Sequence, residues 1–482
     1  MSSMLSKFKL PGAKIATSGQ LVEEKPKAAV ERTDLPPMLE VRDLKVYFRV
    51  MKGTVHAVDG VDLVLNRGET LGLVGESGCG KTTLAYAINR LLPGNGGIVA
   101  GSIKFEGKEI GVPESGCIGE IIGLCDSRDP LDAGLAAIVE KEKKALAEIR
   151  ETKDDAVETT AWRAAEIQYR ETVLRSVERA IEQTKSLKDI AGERPEEIAP
   201  GKSASGGRRR TLKKRVAGIR DGFFLRGPRK KRDRLLTDRV NKIRWKEVSM
   251  IFQSAMNAFN PVFKVGDQIM EALLAHEPLS KEEARERTIK LFELVGIDPG
   301  RIDGYPHEFS GGMKQRAMIA MALACNPKLV LADEPTTALD VIMQDRVLAE
   351  IRDLQRKFNM ALIIITHDIS VVAETANKIA IMYAGHIMEL GDIASVFRRP
   401  CNPYTIGLLA AYPKITGKKS KLQAIPGTPP DLVNPPSGCR FHPRCRFVQD
   451  ICKTVVPPKL EVEPGHYSMC HFAKEIHSGE LK

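Results

Sequence analysis

No stretch of this sequence is apolar for the ~20 residues that a bilayer-spanning helix needs. Runs such as Ala361 to Ile365 fall far short. The first residues, MSSMLSKFKLPGAK, lack a continuous apolar segment and so do not read as a secretory signal. The expectation is a chain that starts and stays in the cytoplasm. Aromatic residues are scarce at 5%, but a hydrophobic share of 43% excludes a wholly disordered chain. Nine cysteines in 482 residues are too few for a disulfide scaffold, and the length allows two or three domains with full cores. A general excess of one charge is also missing. The net charge is +11, yet residues 201–240 alone hold 15 Lys or Arg against 3 Asp. The other 442 residues therefore sum to −1. The basicity that would suggest nucleic acid or acidic lipid belongs to one segment.

Residues 1–37 are polar, end in Leu35-Pro36-Pro37, and read as a flexible tail. Short apolar strands then follow around Leu39 to Phe48 and Val61 to Leu65. Leu71-Gly72-Leu73-Val74 is a buried-type strand leading into a glycine-rich turn, with a helix expected over 83–92. After about Gly111 the composition shifts. Residues 131–150 and 156–190 carry apolar positions at helical spacing among dense charges, which suggests an antiparallel helix pair. The basic segment behind it is too rich in glycine and charge to form a core. Strands over 248–252, 329–332, 362–366 and 379–383 alternate with helices, an α/β pattern with a largely parallel sheet. From Asn402 the chain is Pro-rich, contains four cysteines, and promises little regular structure. The organisation expected is therefore a discontinuous α/β domain over 38–110 and 241–400, an insertion over 111–240, and an appended region over 401–482.

Gly75-Glu76-Ser77-Gly78-Cys79-Gly80-Lys81-Thr82 fits the phosphate-binding pattern G-x-x-x-x-G-K-[ST] between a strand and a helix, with Thr83 next. Glycines let backbone amides curl around phosphate oxygens, and the helix N-terminus adds partial positive charge. Lys81 suits the β and γ phosphates, and the Thr82 hydroxyl suits Mg²⁺. This chain is expected to bind a nucleoside triphosphate. Leu329 to Ala332 is an apolar strand ending in Asp333 and Glu334. Such a strand end lies beside the phosphate loop in an open α/β sheet. Asp333 would hold Mg²⁺, and Glu334 would polarise the attacking water.

The chain now resembles the ATP-binding cassette ATPases. Phe309-Ser310-Gly311-Gly312-Met313-Lys314-Gln315-Arg316 looks like their signature motif. The resemblance implies that Ser310, Gly311, Gly312 and Met313 bind the γ-phosphate held by a second subunit. It further implies that Gln253 is the Q-loop glutamine and a Mg²⁺ ligand, that Asp340 in Ala338-Leu339-Asp340 is the D-loop acid, and that His367 is the switch histidine. Phe48 stands where the family stacks an aromatic on adenine, with Tyr47 the weaker candidate. The fold so implied is a P-loop NTPase cassette with a mixed sheet and a helical signature subdomain. Pro306 to Arg316, Ala332 to Val341, Asn402-Pro403-Tyr404-Thr405 and Ile425 to Leu432 are similar to the oligopeptide/dipeptide importers. Relatives of that group carry oligosaccharides or nickel, and the ATPase does not touch the cargo. The implied partners are two membrane subunits, a second ATP-binding subunit and an extracytoplasmic solute-binding protein, at the cytoplasmic face of the membrane. Ser254-Ala255 departs from the acid-Pro pair common after the Q-loop glutamine. A soluble cassette ATPase acting on nucleic acid is the competing class, but those proteins usually carry two cassettes in one chain.

Cys439, Cys445, Cys452 and Cys470 form C-x5-C-x6-C-x17-C. Disulfides are not expected in the cytosol, so clustered thiolates suggest a metal. Structural zinc sites usually show a tight C-x2–4-C pair, absent here. The spacing and the family-type tail around Gly438 to Cys445 favour an iron–sulfur cluster, [4Fe–4S], over zinc or free thiols. His442, His466 and His471 are read as hydrogen-bonding residues. Cys79, Cys117, Cys125, Cys325 and Cys401 show no partner pattern, and Cys79 is a candidate for oxidation. For residues 201–240 the readings are a solvated loop, docking on anionic lipid, nucleic-acid binding through Phe223 and Phe224, or contact with another protein.

Overall fold

The computed structural model describes residues 35–111, 131–151, 157–191, 210–216, 236–253, 258–336, 341–411 and 425–481. The chain divides into a unit over 1–36 and a unit over 37–482, and everything below belongs to the second.

The larger unit begins with an antiparallel sheet of β1 (Leu39–Val50), β2 (Gly53–Leu65), β4 (Gly96–Phe105) and β5 (Lys108–Gly111), in the order β2-β1-β4-β5. One face of each strand is buried and the other is not, so β1 reads LEVRDLKVYFRV, with Leu39, Val41, Leu44 and Val46 inward.

The second sheet has eight strands in the order β11-β12-β10-β9-β3-β8-β7-β6. β3 (Thr70–Val74), β6 (Val248–Ile251), β7 (Leu329–Asp333), β8 (Ala361–Thr366) and β9 (Lys378–Tyr383) pair in parallel. Covered on both faces, they are continuous apolar runs rather than alternating ones. β10 (His386–Asp392) turns antiparallel to β9. β11 (Lys459–Glu463) and β12 (His466–Met469) then extend the same sheet from the appended region. The expectation of little regular structure after Asn402 is therefore corrected. That region adds two strands and short helices over Pro403–Ala410, Asp450–Thr454 and Ala473–Ser478. Tyr404 and Phe441 are buried beneath it, against Tyr383.

α1 (Lys81–Ile88) follows β3 and stops two turns in, because Arg90 takes a left-handed backbone with φ 56°. The helix expected over 83–92 is thus shorter and begins earlier. Two charged helices, α2 (Leu131–Glu151) and α3 (Val157–Ala191), pair through Arg150–Glu171 and Lys143–Glu178. That register makes them antiparallel, as the apolar stripe suggested. Their core of Leu135, Tyr169, Val173 and Val177 also buries Leu212 and Val216, from a helix over 210–216. Leu236 and Val240 lie in the main core between the two sheets. Charge density thus misled about the basic segment. Among its described residues, Leu212, Val216, Leu236 and Val240 are core residues where helical spacing puts them on one face.

A helical layer then covers the β6 end of the large sheet. It consists of α4 (Val265–His276), α5 (Lys281–Leu294) and α6 (Gly311–Leu323), and the long α7 (Val341–Phe358) packs with them. Ser280 starts α5 with a capping box, its Oγ accepting from Glu283 N while Glu283 accepts from Ser280 N.

Candidate active site

The phosphate loop leaves the C-terminal end of β3 and enters α1 through Gly80. Gly80 has φ +107°, and a Cβ there would stand 2.1 Å from the Ala57 carbonyl oxygen. Only glycine fits, so the loop can close back on β2 and aim its amides inward. Lys81 is buried to 7% exposure, and its ammonium donates to Gly75 O at 2.8 Å and Glu76 O at 3.0 Å. The lysine thus spans the loop it serves. Ser77, Gly78, Gly80, Lys81, Thr82 and Thr83 form one wall of a cleft of about 640 Å³.

The opposite wall comes from the ends of three neighbouring parallel strands. Gln253 follows β6, Glu334 follows β7 and His367 follows β8, so one edge of the sheet delivers all three. Gln253 Nε2 donates to Glu334 Oε2 at 2.8 Å, and His367 Nδ1 lies 3.1 Å from Glu334 Oε1. Glu334 has φ 47°, a left-handed conformation that a glutamate seldom adopts, and its N–H bonds Ile365 O at 2.8 Å. That bend aims the carboxylate at the cleft while β7 continues into the sheet.

Asp333, one residue earlier, is 1% exposed, and both its carboxylate oxygens lack a hydrogen-bond partner. Burial pushes its carboxyl up, while the neighbouring Thr82 hydroxyl and Lys81 ammonium pull it down. A buried carboxylate with two unused oxygens beside a threonine hydroxyl is a donor set that suits Mg²⁺.

Phe48, with Val55 and Ala57, supplies the apolar end of the cleft. Tyr47 does not line it. Its ring stacks on His56 at 4.2 Å and its hydroxyl donates to Asp59 at 2.9 Å. Ser310 N-caps α6, its Oγ accepting from Met313 N at 3.3 Å. Neither it nor Gly311, Gly312 or Met313 lines the cleft of its own chain. Asp340 and the Ser254-Ala255 pair lie outside the described residues. Cys79 is buried at 4% exposure, and burial pushes its thiol up, partly offset by Lys81. A thiol so held is a poor nucleophile, against the expectation of oxidation sensitivity.

The family model described as "ABC transporter" matches residues 58–216 and 228–337. The chain belongs to the ABC transporter family. A second model, "Oligopeptide/dipeptide transporter, C-terminal region", matches residues 388–452 of this cassette protein. It is 36% identical over 434 residues to the oligopeptide transport ATP-binding protein OppD of Bacillus subtilis, covering 89% of this chain and 87% of that protein. To OppD of Escherichia coli it is 34% identical over 436 residues, covering 90% and 92%. As a member of this family, the cassette binds and hydrolyses ATP. No helix among the described residues is long and apolar enough to cross a membrane.

In the cassette's C-terminal region, Cys439, Cys445, Cys452 and Cys470 line one small cavity, together with Phe441, Phe447 and Phe472. Next to Cys439, Gly438 takes φ +65°, and a Cβ there would stand 2.5 Å from the Cys452 carbonyl oxygen. Phe447 N–H donates to Cys445 Sγ and Phe472 N–H to Cys470 Sγ, each at 3.4 Å. Burial, with the neighbouring cysteines adding to it, pushes the thiols of Cys445 and Cys470 up to about 11 and about 12.

Sequence reading missed a separate buried group. Cys401 Sγ sits 3.1 Å from Glu389 Oε1 and 3.3 Å from His466 Nε2, which is itself 2.7 Å from that oxygen. Glu389 also accepts from the N–H groups of Cys401 and Asn402. The triad ties β10 to β12, and its outer members, Glu389 and His466, are 77 residues apart in sequence. His442 and His471 hydrogen-bond backbone carbonyls, as read.

Proposed function

We propose that this cassette is the ATP-hydrolysing subunit of an importer for oligopeptides or dipeptides. The observation that carries the reading is the Gln253–Glu334–His367 assembly facing the phosphate loop across one cleft. The two OppD relatives and the oligopeptide/dipeptide C-terminal match support the cargo class.

In this reading the loop amides of 75–80, with Lys81, Thr82 and Thr83, bind the triphosphate, and Phe48 stacks on the base. Thr82, Asp333 and Gln253 hold Mg²⁺, which neutralises phosphate charge when bound. Glu334 accepts a proton from the attacking water, and its two side-chain partners fix the carboxylate that does so. Ser310, Gly311, Gly312, Met313 and Asp340 complete the site of a second ATP-binding subunit. Closing two subunits on two ATP molecules and releasing them after hydrolysis would move two membrane subunits, fed by an extracytoplasmic solute-binding protein. The working place is the cytoplasmic face of the membrane. The domain plan is a cassette over 38–110 and 241–400, an insertion over 111–240 and a C-terminal region over 401–482.

Cys439, Cys445, Cys452 and Cys470 would hold a [4Fe–4S] cluster. The four cysteines lining one cavity, and backbone N–H groups donating to sulfur, support this. Its contribution is structural, a covalent staple for a region with a small core.

Glu334→Gln keeps ATP binding and lowers phosphate release by about 10²- to 10⁴-fold. Normal turnover in that variant would overturn the base assignment. For the cargo, the cassette reconstituted with its membrane subunits should be stimulated by peptide-loaded binding protein. Stimulation by an oligosaccharide or by Ni²⁺ instead would overturn the peptide reading.

A further inference from the structure

Two residues outside every nucleotide-binding motif of the sequence meet the nucleotide site from the C-terminal region, one lining its cleft and one bonded to its phosphate loop. The first is Leu432, which lines the cleft's apolar end with Phe48, Val55 and Ala57. It is held there rather than draped over it. Its carbonyl accepts from His56 N–H at 2.9 Å, and Asp431 Oδ1 accepts from Val433 N–H at 2.9 Å. Val433 Cγ1 lies only 3.0 Å from the point where Gly53 would carry a Cβ, so the segment is clamped across the β1–β2 hairpin.

The second is Arg444, at the phosphate end. Its side chain is 7% exposed, and Nη1 donates to Glu76 Oε2 at 2.9 Å and to Tyr383 OH at 3.2 Å. Its Nε donates to Pro426 O at 2.8 Å, which ties it to the segment bearing Leu432. Glu76 is the second residue of the phosphate loop, and its own N–H donates to Tyr404 OH at 3.2 Å. A charge-assisted bond to a nearly buried guanidinium fixes a loop residue more firmly than a solvent-exposed one would.

We propose that Leu432 is a nucleotide-binding residue, packing on the base and ribose, and that Arg444 is a positioning residue that sets the phosphate loop through Glu76. The proposal rests on the cleft being the ATP site. It makes the C-terminal region a working wall of that site, with the base end and the phosphate end each answering to one residue.

The two ends can be separated with the purified full-length chain and two probes, Mg-ATP and Mg-tripolyphosphate, the latter lacking base and ribose. Leu432→Ala weakens Mg-ATP binding about tenfold, the scale of losing one buried aliphatic contact. It leaves tripolyphosphate affinity unchanged, and that unchanged affinity also reports that the variant is folded. In turnover it raises KM for ATP with kcat unaltered, because contact with the base is equal in ground and transition states. Leu432→Met restores the affinity. Arg444→Gln weakens both probes by the same factor, and combining it with Glu76→Gln adds no further loss. An unchanged ATP affinity in Leu432→Ala, or an equal loss for both probes, would overturn the role of Leu432. Additive losses in the Arg444 and Glu76 pair would overturn that of Arg444. If the wild-type chain bound neither probe, the ATP-site reading itself would fall, an outcome distinct from all of these.

Discussion

Asp59 illustrates how single side chains join distant parts of this chain. It sits in β2 and faces Arg440, 6% exposed, which bonds its carboxylate and the Ala384 carbonyl. Burial alone would raise the Asp59 carboxyl. The His56 contact and the Arg440 guanidinium outweigh burial and hold it well below the usual carboxylate range. A carboxyl depressed in the folded state contributes stability above its unfolded value of about 4, and that stability is lost as pH falls below it. Nearby His386 is pushed down to about 3 by burial and by Arg440, so it stays neutral near pH 7. Arg440→Ala removes a charge-assisted bond while Asp59 keeps the Tyr47 hydroxyl, and should cost about 1.5–3 kcal/mol at pH 7. Urea unfolding at pH 7 and pH 4 checks this, with a smaller difference between variant and wild type at the lower pH.

The helix pair α2–α3 behaves as an element with its own core. Arg170 is 11% exposed between Glu142 and Glu166, and the two carboxylates raise its already high pKa further against the cost of burial. Among the described residues, Lys141 pairs with Asp43 of β1, and Arg170 lies beside Glu109 of β5. Leu236 and Val240 are cassette core residues, so a clean excision stops before them. Replacing residues 112–235 by a short flexible linker should keep ATP hydrolysis within about twofold, because closing a loop costs little once its ends are close. Phosphate release measures this. Loss of ATP binding would mean that the pair supports β5 and the core beneath it.

At the scale of the whole molecule, the large sheet runs without a break from the ATPase core into the C-terminal region. β10, β12 and β11 continue it, and the cysteine cavity lies beyond them, lined by Met388 of β10 and Met469 of β12. A metal cluster there would therefore brace the sheet edge and, through Arg444, the phosphate loop. Anaerobically purified protein should carry about four iron atoms per chain and a visible iron–sulfur absorption. Cys470→Ser should bleach that absorption. A colourless protein with stoichiometric zinc would refute the cluster.

The local motifs were legible because each is a short-range device. A glycine loop before a helix, an apolar strand ending in two acids, and Ser310 capping α6 need only neighbours in sequence, and the structure places Lys81 across its loop, Asp333 and Glu334 at the end of β7, and Ser310 at the start of α6. The buried parallel strands were legible too, as continuous apolar runs. What the chain alone did not determine are the meetings between residues far apart in sequence. Gln253 reaches Glu334 only because β6 lies beside β7, and Cys401 meets His466 only because β12 pairs with β10. Leu432 joins the cleft only because its segment crosses the first hairpin. Side-chain chemistry and short-range geometry are written in sequence spacing. Strand order and docking are decided by the burial of whole faces, and only the folded chain brings those faces together.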